Sequence, residues 1–195
     1  MLFFLNACKN ICCLLIYYIM NEITYLTSLN INPEKTCAFT GPRPQNLPWG
    51  FFDESKECLL LKKELKSLIL SLQKNGIENF IVGMAMGFDM IVADVLLEIK
   101  KEKNKPKIFA VIPCKDQCDL WPKNMQEKYG KILNKLNGVY SVSEKYEGSF
   151  CMIKRNQIMV DSSAVLVAYL GAFSSGTKST INYAKKKHKQ IVYVS

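Results

Sequence analysis

The chain has 195 residues, of which 49% are hydrophobic and 22% are charged. These values exclude a disordered or low-complexity chain, and the length suits one globular domain rather than two. A formal net charge of +9 favours anionic ligands over cationic ones, although lysine-rich stretches are more often solvated surface than nucleic-acid binding sites.

The N-terminal stretch is predicted to be an extension outside the fold. Its first twenty residues are mostly apolar, but two asparagines and a lysine interrupt them, and the uninterrupted run of residues 11–20 is too short to span a bilayer. No basic segment precedes this run and no small-residue cleavage site follows it, so a signal peptide fits poorly. We expect residues 1–35 to be dispensable and residues 36–195 to form the domain; a peripheral membrane segment is the alternative.

From residue 36 onward, short apolar runs alternate with helix-like segments. The runs are rich in Val, Ile, Phe and Tyr, as expected of strands that are covered on both faces. The predicted strands are residues 36–40, 79–82, 107–112, 138–142, 164–170 and 190–194. Apolar residues at helical spacing predict four helices, around residues 61–72, 91–99, 132–136 and 181–187.

This alternation predicts βαβ units with right-handed crossovers. The expected fold class is α/β: a Rossmann-like three-layer sandwich with a mostly parallel sheet of about six strands. Ligands of such sheets bind beyond the carboxyl ends of the strands, where the strand order reverses. The loops that directly follow the strands are therefore expected to carry the functional residues.

The loop after the first predicted strand contains Thr40, Gly41 and Arg43. Gly41 lets the backbone approach a ligand closely, and the planar guanidinium of Arg43 suits a phosphate or a carboxylate. A rigid, proline-rich turn with an exposed arginine explains the same residues. This loop alone favours neither interpretation.

The loop after the second predicted strand contains Gly83, Met84, Gly87 and Asp89. Its two glycines place bare backbone N–H groups and the positive end of a helix at one point, which suits an anionic oxygen. The pattern is neither the GxGxxG dinucleotide fingerprint nor a Walker loop. Because Asp89 would repel a phosphate, we expect it to cap the helix or to accept a hydrogen bond from a sugar hydroxyl.

The loop after the fifth predicted strand contains Ser174, Ser175, Gly176 and Thr177 and also enters a helix. Hydroxyl and amide groups at a helix start donate to phosphate, although Ser and Thr also favour this position as local caps. Two such loops, after strands two and five of one sheet, are a more specific signal than either alone, because both can face the same cleft.

The cysteines and the histidine do not form a metal-site pattern. The chain has eight cysteines without a CxxC pair, and its one histidine is His188. A chain of this length with an ordinary core does not need disulfides. We therefore expect reduced thiols in a cytoplasmic protein, and neither a metal nor a cofactor.

With these loops in place, the chain resembles the SLOG superfamily and, within it, the YpsA-type family of bacterial proteins. The resemblance covers almost everything after residue 36 and is carried, in family order, by TGPRPQNLPWG, GMAMGFD, AVIPC with Trp121, CMIKRNQIMVDSS and SSGTKSTINYA. It implies a Rossmannoid fold and a role in binding or sensing nucleotide-derived ligands. It also implies relatives with other roles, namely the DNA-processing protein DprA and the LOG-type phosphoribohydrolases.

The chain departs from the family pattern at three points, and the first and the third lower the expectation of catalysis. Pro42 stands where the family usually has a histidine, and Ser163 where it usually has an aspartate. The LOG-type enzymes carry a glutamate in the helix after their glycine-rich loop, whereas this chain has no acid directly after Thr177. Without such a carboxylate a hydrolase lacks a group to stabilise its transition state; in an active hydrolase the carboxylate would have to come from Asp89, Glu98 or Asp161.

The last candidates precede the fifth strand. Arg155 resembles a family arginine near the ligand and can hold a phosphate, and Asn156 follows it; a surface ion pair is the alternative. Trp49 and Trp121 suit either base stacking or core packing. The expected partner is a nucleotide-derived small molecule, with a homo-oligomer left open. A nucleotide N-glycosidase and a binder of single-stranded DNA are the alternative functions, and no membrane partner is expected.

Overall fold

A computed structural model describes residues 31–102, 106–169, 171 and 174–195 of the chain. Most of the predicted N-terminal extension lies outside these residues. From Asn32 to Ser195 the described chain is one compact unit, which begins shortly before the predicted boundary at residue 36. The hydroxyl of Thr36 donates to the carbonyl of Asn32 at 2.6 Å and so fixes this start of the unit.

None of the helices in the described ranges is long and apolar enough to cross a membrane.

Six strands form a single sheet in which every neighbouring pair is parallel. The strands are β1 (Thr36–Thr40), β2 (Asn79–Val82), β3 (Lys107–Cys114), β4 (Gly138–Ser143), β5 (Val165–Tyr169) and β6 (Gln190–Val194), in the order β4-β3-β2-β1-β5-β6. Every residue of β1, β2 and β5 is buried, as expected of central parallel strands with helices on both faces. The predicted fold class is confirmed.

The helices are α1 (Lys56–Lys74), α2 (Phe88–Lys101), α3 (Lys123–Leu133), α4 (Ser149–Asp161) and α5 (Ser175–Lys186). α2 packs against both α1 and α3, whereas α4 packs against α5, which gives one helical layer on each face of the sheet. The predicted apolar stripe of α1 is its buried face, with Leu61, Leu65 and Ile69 against the sheet. Periodicity therefore located α1 correctly.

The sequence analysis assigned no helix to the segment that forms α4. Its buried face consists of Cys151, Arg155, Ile158, Met159 and Val160. A charged residue in the middle of this face interrupts the apolar period. Since arginine is seldom buried without a partner, the sequence pattern did not indicate a buried helix face here. The helix was missed because its central inward residue is polar.

The strand order reverses between β1 and β5. After β1 the chain builds β2, β3 and β4 outward on one side, and it then returns to place β5 on the other side of β1. At such a switch point the connections leave in opposite directions and open a crevice beyond the carboxyl ends of the two strands. The loops after β1 and β5 border this crevice.

Candidate functional site

A cavity of about 330 Å³ lies beyond the carboxyl ends of β1 and β5. Most of the predicted site residues line it: Thr40, Gly41, Arg43, Asp89, Arg155, Asn156, Ser174, Ser175, Gly176 and Thr177. Four lining residues were not predicted, namely Phe39, Asn46, Ala85 and Met152. The structure therefore gathers residues from four separate segments of the chain around one cavity.

Gly83 does not line the cavity but makes room for a residue that does. A Cβ atom at this position would overlap the Nη1 atom of Arg155 and would lie 2.7 Å from Oδ2 of Asp89. The guanidinium of Arg155 thus rests against the bare backbone of Gly83. The close approach inferred for this glycine is made by an arginine of the protein itself.

Met84 and Gly87 also lie off the cavity wall. Met84 is fully buried with a φ of +56°, and its carbonyl accepts a hydrogen bond of 2.7 Å from Nε2 of Gln117. Gly87 has a φ of +94°, and a Cβ atom there would lie 2.7 Å from the carbonyl oxygen of Pro42. Both residues shape the turn between β2 and α2, and the positive φ explains why the second is glycine.

Asp89 lies in the first turn of α2 and turns its carboxylate back onto the preceding loop. Its Oδ2 atom accepts hydrogen bonds of 3.2 Å from the backbone N–H of Ala85 and of 3.2 Å from Nη1 of Arg155. Burial raises the pKa of this carboxyl, and the charge of Arg155 and the Ala85 N–H partly offset that rise. The negative charge that suits the start of α2 is therefore supplied by the protein itself.

Arg155 is buried, and its ion pair with Asp89 is among the least exposed in the structure, with both side chains 8% exposed. Its Nε atom is buried and has no hydrogen-bond partner among the described residues. A guanidinium carries five N–H donors, and an unpaired buried donor costs about 1–3 kcal/mol. Arg155 therefore has donor capacity left at the cavity wall. Arg155 is therefore neither part of a surface ion pair nor an unpaired arginine that is free to bind a phosphate.

Arg43 is the second cationic residue of the cavity, and unlike Arg155 it is exposed. The sequence contains 26 basic residues other than histidine, and Arg43 and Arg155 are its two arginines. Both line the same cavity. The scarcity of arginine in the sequence is a signal that could have singled out both residues, and the sequence analysis did not use it.

The start of α5 forms the opposite wall. Ser174 is its N-cap, and the serine hydroxyl accepts from the Thr177 N–H at 3.2 Å and lies 2.6 Å from the Thr177 hydroxyl. The N–H groups of Ser175 and Gly176 lie before the first intrahelical bonds. The first turn contains no acidic residue, in contrast to that of α2. Of the predicted loop before this helix, Ala172 and Phe173 lie outside the described residues.

A second cavity, of about 630 Å³, adjoins the first and shares Arg43, Ala85 and Met152 with it. Trp121 lines this second cavity and packs edge-on against Tyr129, with ring centroids 5.2 Å apart. The other tryptophan, Trp49, packs against the core rather than into either cavity.

Of the carboxylates considered for catalysis, Asp89 lines the first cavity. Glu98 pairs on the surface with Lys66 at 2.7 Å. Asp161 pairs with Lys187 at 3.1 Å, at the far end of α5 from the cavity. The site thus offers one buried carboxylate, which is already held in an ion pair.

Comparisons of the sequence with known proteins identify a family and several bacterial relatives. Residues 37–194 match the YspA SLOG family. The SPbeta prophage-derived protein YoqJ of Bacillus subtilis (strain 168) is 32% identical over 142 residues, which cover 67% of this chain and 83% of that protein. A UPF0398 protein of Bacillus anthracis (strain A0248) is 29% identical over 161 residues, 80% of this chain and 85% of that protein.

Two solved structures share the fold. The DNA processing protein A of Helicobacter pylori, described by its single-stranded DNA binding mode, superposes with a TM-score of 0.58 at 22% identity, over 86% of this chain and 67% of that one. The DNA processing protein A of Streptococcus pneumoniae gives a TM-score of 0.55 at 20% identity, over 86% of this chain and 51% of that one. At these identities the likeness is one of fold.

Proposed function

This chain belongs to the YspA SLOG family, and we propose that its cavity at the β1–β5 switch point binds the phosphate of a nucleotide or nucleotide-derived small molecule. The observation that carries the proposal is the convergence of both arginines of the chain on that cavity. Lysine outnumbers arginine strongly in this sequence, so chance placement of basic residues would bring lysines to the site. Arginine is the cation whose planar donors match the oxygens of a phosphate.

The start of α5 is the part of the cavity that suits the phosphate best. At the start of α2, the carboxylate of Asp89 already occupies the Ala85 N–H and would repel an anion. At the start of α5, the hydroxyl of Ser174 satisfies the Thr177 N–H, and the N–H groups of Ser175 and Gly176 remain for a ligand. We therefore assign the phosphate to α5 and not to both loops equally.

The two arginines have different roles in this assignment. Arg155 is fixed by Asp89 and presents its guanidinium group at the cavity wall without a large loss of side-chain entropy. Arg43 is exposed and closes on the phosphate from the solvent side. A buried, fixed cation and an exposed one together contact the phosphate from two sides.

We infer binding rather than hydrolysis. The carboxylate that lines the cavity, Asp89, holds its Oδ2 atom in hydrogen bonds with Arg155 and the Ala85 N–H, and this ion pair weakens it as a nucleophile or general base. The other two carboxylates considered for catalysis, Glu98 and Asp161, pair with lysines outside the cavity. We expect that nucleoside monophosphates bind to the protein and are released without being hydrolysed.

Isothermal titration with ribose 5-phosphate and a panel of nucleoside monophosphates tests the proposal. Arg43→Ala removes a charge-assisted hydrogen bond worth about 1.5–3 kcal/mol, so affinity should fall about tenfold to a hundredfold. Lys63→Ala, an exposed basic residue of α1 remote from the cavity, is the matched control and should bind as the parent does. Equal affinity of parent and Arg43→Ala for every phosphate compound would place the ligand elsewhere.

A parallel titration with single-stranded DNA distinguishes the proposed nucleotide binding from the alternative function, which is binding of single-stranded DNA. Binding through several phosphates would weaken steeply with salt, whereas one phosphate gives a shallow dependence. The lysines at the C-terminal end of α5 lie at the opposite end of that helix from the cavity, so they do not extend the phosphate site. Tight, steeply salt-dependent DNA binding with no affinity for mononucleotides would favour the DNA-binding alternative over our proposal.

A further inference from the structure

We propose that the second cavity holds the base of the bound nucleotide and that it selects guanine; this inference rests on the function proposed above. The cavity of about 630 Å³ is continuous with the phosphate cavity through Arg43, Ala85 and Met152. A nucleotide whose phosphate lies at the start of α5 can extend its sugar past these shared residues. Its base then lies in the second cavity.

The walls of this second cavity suit the flat faces of a base. Trp121 and Tyr146 contribute aromatic rings, and Met86 and Met152 contribute flexible thioethers. Bases stack on such side chains, since every base presents a π-face. The indole of Trp121 is held in place by its edge contact with Tyr129, so this wall is formed before the ligand arrives.

Exposed apolar side chains border the second cavity. Leu120 is 100% exposed and Tyr146 is 57% exposed, and both line the cavity. Exposed apolar groups next to a concave site with a few polar atoms are typical of small-molecule sites. A bound base would cover both side chains.

The charge of the second cavity is opposite to that of the first. Asp116 and Asp119 line it, and of its described lining residues Arg43, at the junction of the two cavities, is the basic one. The backbone N–H of Tyr146 donates to Oδ2 of Asp116 at 3.1 Å and lowers the pKa of that carboxyl. Asp116 is therefore ionised at neutral pH. A second phosphate would be repelled here, whereas a neutral group with N–H donors would be attracted.

Two acceptor atoms in this region lack donors. Oδ1 of Asp116 and Oε1 of Gln117 are buried, and neither has a hydrogen-bond partner within the described part of the chain. Buried acceptors of this kind are nearly always satisfied in native proteins. Both atoms are covered by protein, so the proposed binding includes a rotation of the Asp116 carboxylate toward the cavity.

Guanine fits a carboxylate acceptor better than the other bases do. Its Watson–Crick edge places the N1–H and the 2-amino group side by side, so both oxygens of one carboxylate can accept. Adenine and cytosine place an acceptor nitrogen beside their amino group, and uracil has one N–H between two carbonyls. A bidentate contact of this kind discriminates between bases by about tenfold to a hundredfold.

The test compares guanosine, inosine, adenosine and uridine monophosphates with ribose 5-phosphate by isothermal titration to the full chain. Guanosine monophosphate should bind at least about tenfold more tightly than each of the others, inosine monophosphate included, because inosine lacks the 2-amino group. Asp116→Asn should abolish that preference and leave the affinity for ribose 5-phosphate unchanged.

A second variant tests the stacking wall without touching the carboxylate. Tyr146→Ala should lower the affinity for guanosine monophosphate several-fold and leave the affinity for ribose 5-phosphate unchanged. Tyr193→Ala is the matched control, since it truncates an exposed tyrosine on β6 that lines neither cavity; it should bind as the parent does.

Each remaining outcome contradicts a defined part of the inference. Equal affinities for guanosine monophosphate and ribose 5-phosphate would show that the base does not enter the second cavity, with the phosphate site intact. Tighter binding of adenosine monophosphate would overturn the selection of guanine. Absence of binding by every phosphate compound, ribose 5-phosphate included, would overturn the proposed function and this inference together.

Discussion

Arg155 of α4 and Asp89 of α2 form a buried ion pair across the candidate site, with Nη1 and Oδ2 3.2 Å apart. The two residues are 66 positions apart in the sequence and approach each other over the bare backbone of Gly83. The same carboxylate oxygen accepts from the Ala85 N–H. This contact links the β2–α2 loop to α4 and fixes one wall of the cavity.

Removal of Arg155 should destabilise the fold. Arg155→Ala leaves the Asp89 carboxylate buried without its counter-charge, and breaking a buried pair in this way typically costs about 3–5 kcal/mol. The free energy of unfolding from urea denaturation measures the loss. Because of this loss, Arg155→Ala is a poor test of ligand binding, and Arg43→Ala is the better one.

The double variant Asp89→Asn, Arg155→Met is the control for this prediction. It removes both charges and keeps an amide oxygen that can accept from the Ala85 N–H, so it should recover much of the stability lost in Arg155→Ala. A single variant as stable as the parent would mean that the ion pair does not form in solution.

The pH dependence of stability should report the buried carboxyl. The pKa of Asp89 is raised above its ordinary value of 3.8, mainly by burial. The folded state therefore holds the proton more tightly than the unfolded state, and the stabilising contribution of protonation is present below about pH 4 and lost as the pH rises through the folded pKa.

Comparison with Asp89→Asn isolates this effect, because asparagine does not titrate. As the pH rises from about 4, the parent should lose stability relative to the variant until the folded pKa is passed, and the difference should then stay constant. Urea denaturation at a series of pH values measures the difference. A parent that gains stability relative to the variant over this range would show that the ion pair, and not burial, dominates the pKa.

Gly83→Ala should be destabilising although the backbone of Gly83 is not in the left-handed region. The new methyl group would overlap the guanidinium of Arg155 and lie 2.7 Å from the Asp89 carboxylate, which forces the pair apart. Overpacking of this kind costs about 1–3 kcal/mol. Thermal and urea denaturation of the variant measure the cost.

Gly130→Ala provides the matched control. Gly130 lies inside α3, and a Cβ atom there would have no neighbour within 4 Å among the described residues. Replacing a helical glycine by alanine should stabilise the protein by up to about 1 kcal/mol. Opposite signs for the two substitutions are expected; if both stabilise, the close approach at Gly83 is not real.

Gly176→Val should separate binding from folding. A Cβ atom at Gly176 meets nothing within 4 Å in the described chain, and the backbone there is not in the left-handed region, so the fold should tolerate the substitution. The valine side chain would occupy the place where we expect a phosphate to approach the first turn of α5. Affinity for ribose 5-phosphate should fall at least about tenfold in titration calorimetry, while the urea midpoint stays close to that of the parent. Unchanged affinity would argue that Ser174 and Thr177 only cap the helix.

Much of the fold could be predicted from the sequence because its signals are local. The runs at β1, β2 and β6 were located to the residue, since each is a short, mostly apolar run with a polar residue or a glycine directly beyond its ends. The sequence analysis predicted a parallel sheet without a strand order, and the observed order places the loops after β1 and β5 at the switch point. The candidate residues of those loops line the cavity for this reason.

The tertiary structure decided what the glycine loop after β2 does. From sequence, Gly83 and Gly87 suited a ligand phosphate, but Asp89 of the protein itself takes the N–H of that loop, and Arg155 takes the space beside Gly83. A glycine signals close approach by another group without identifying the group. A residue of a distant helix satisfies that requirement as well as a ligand does.

The sequence by itself therefore determined the strands, their parallel connections and the loops expected to carry functional residues, because each of these depends on the period of apolar residues and on the turn residues between the runs. Only the tertiary structure decided the strand order, that α4 is a helix with Arg155 facing inward, and that this arginine is paired with Asp89. Whether a buried charge or an amide is satisfied depends on contacts between residues far apart in the chain. The spacing of residues along the chain does not predict such contacts.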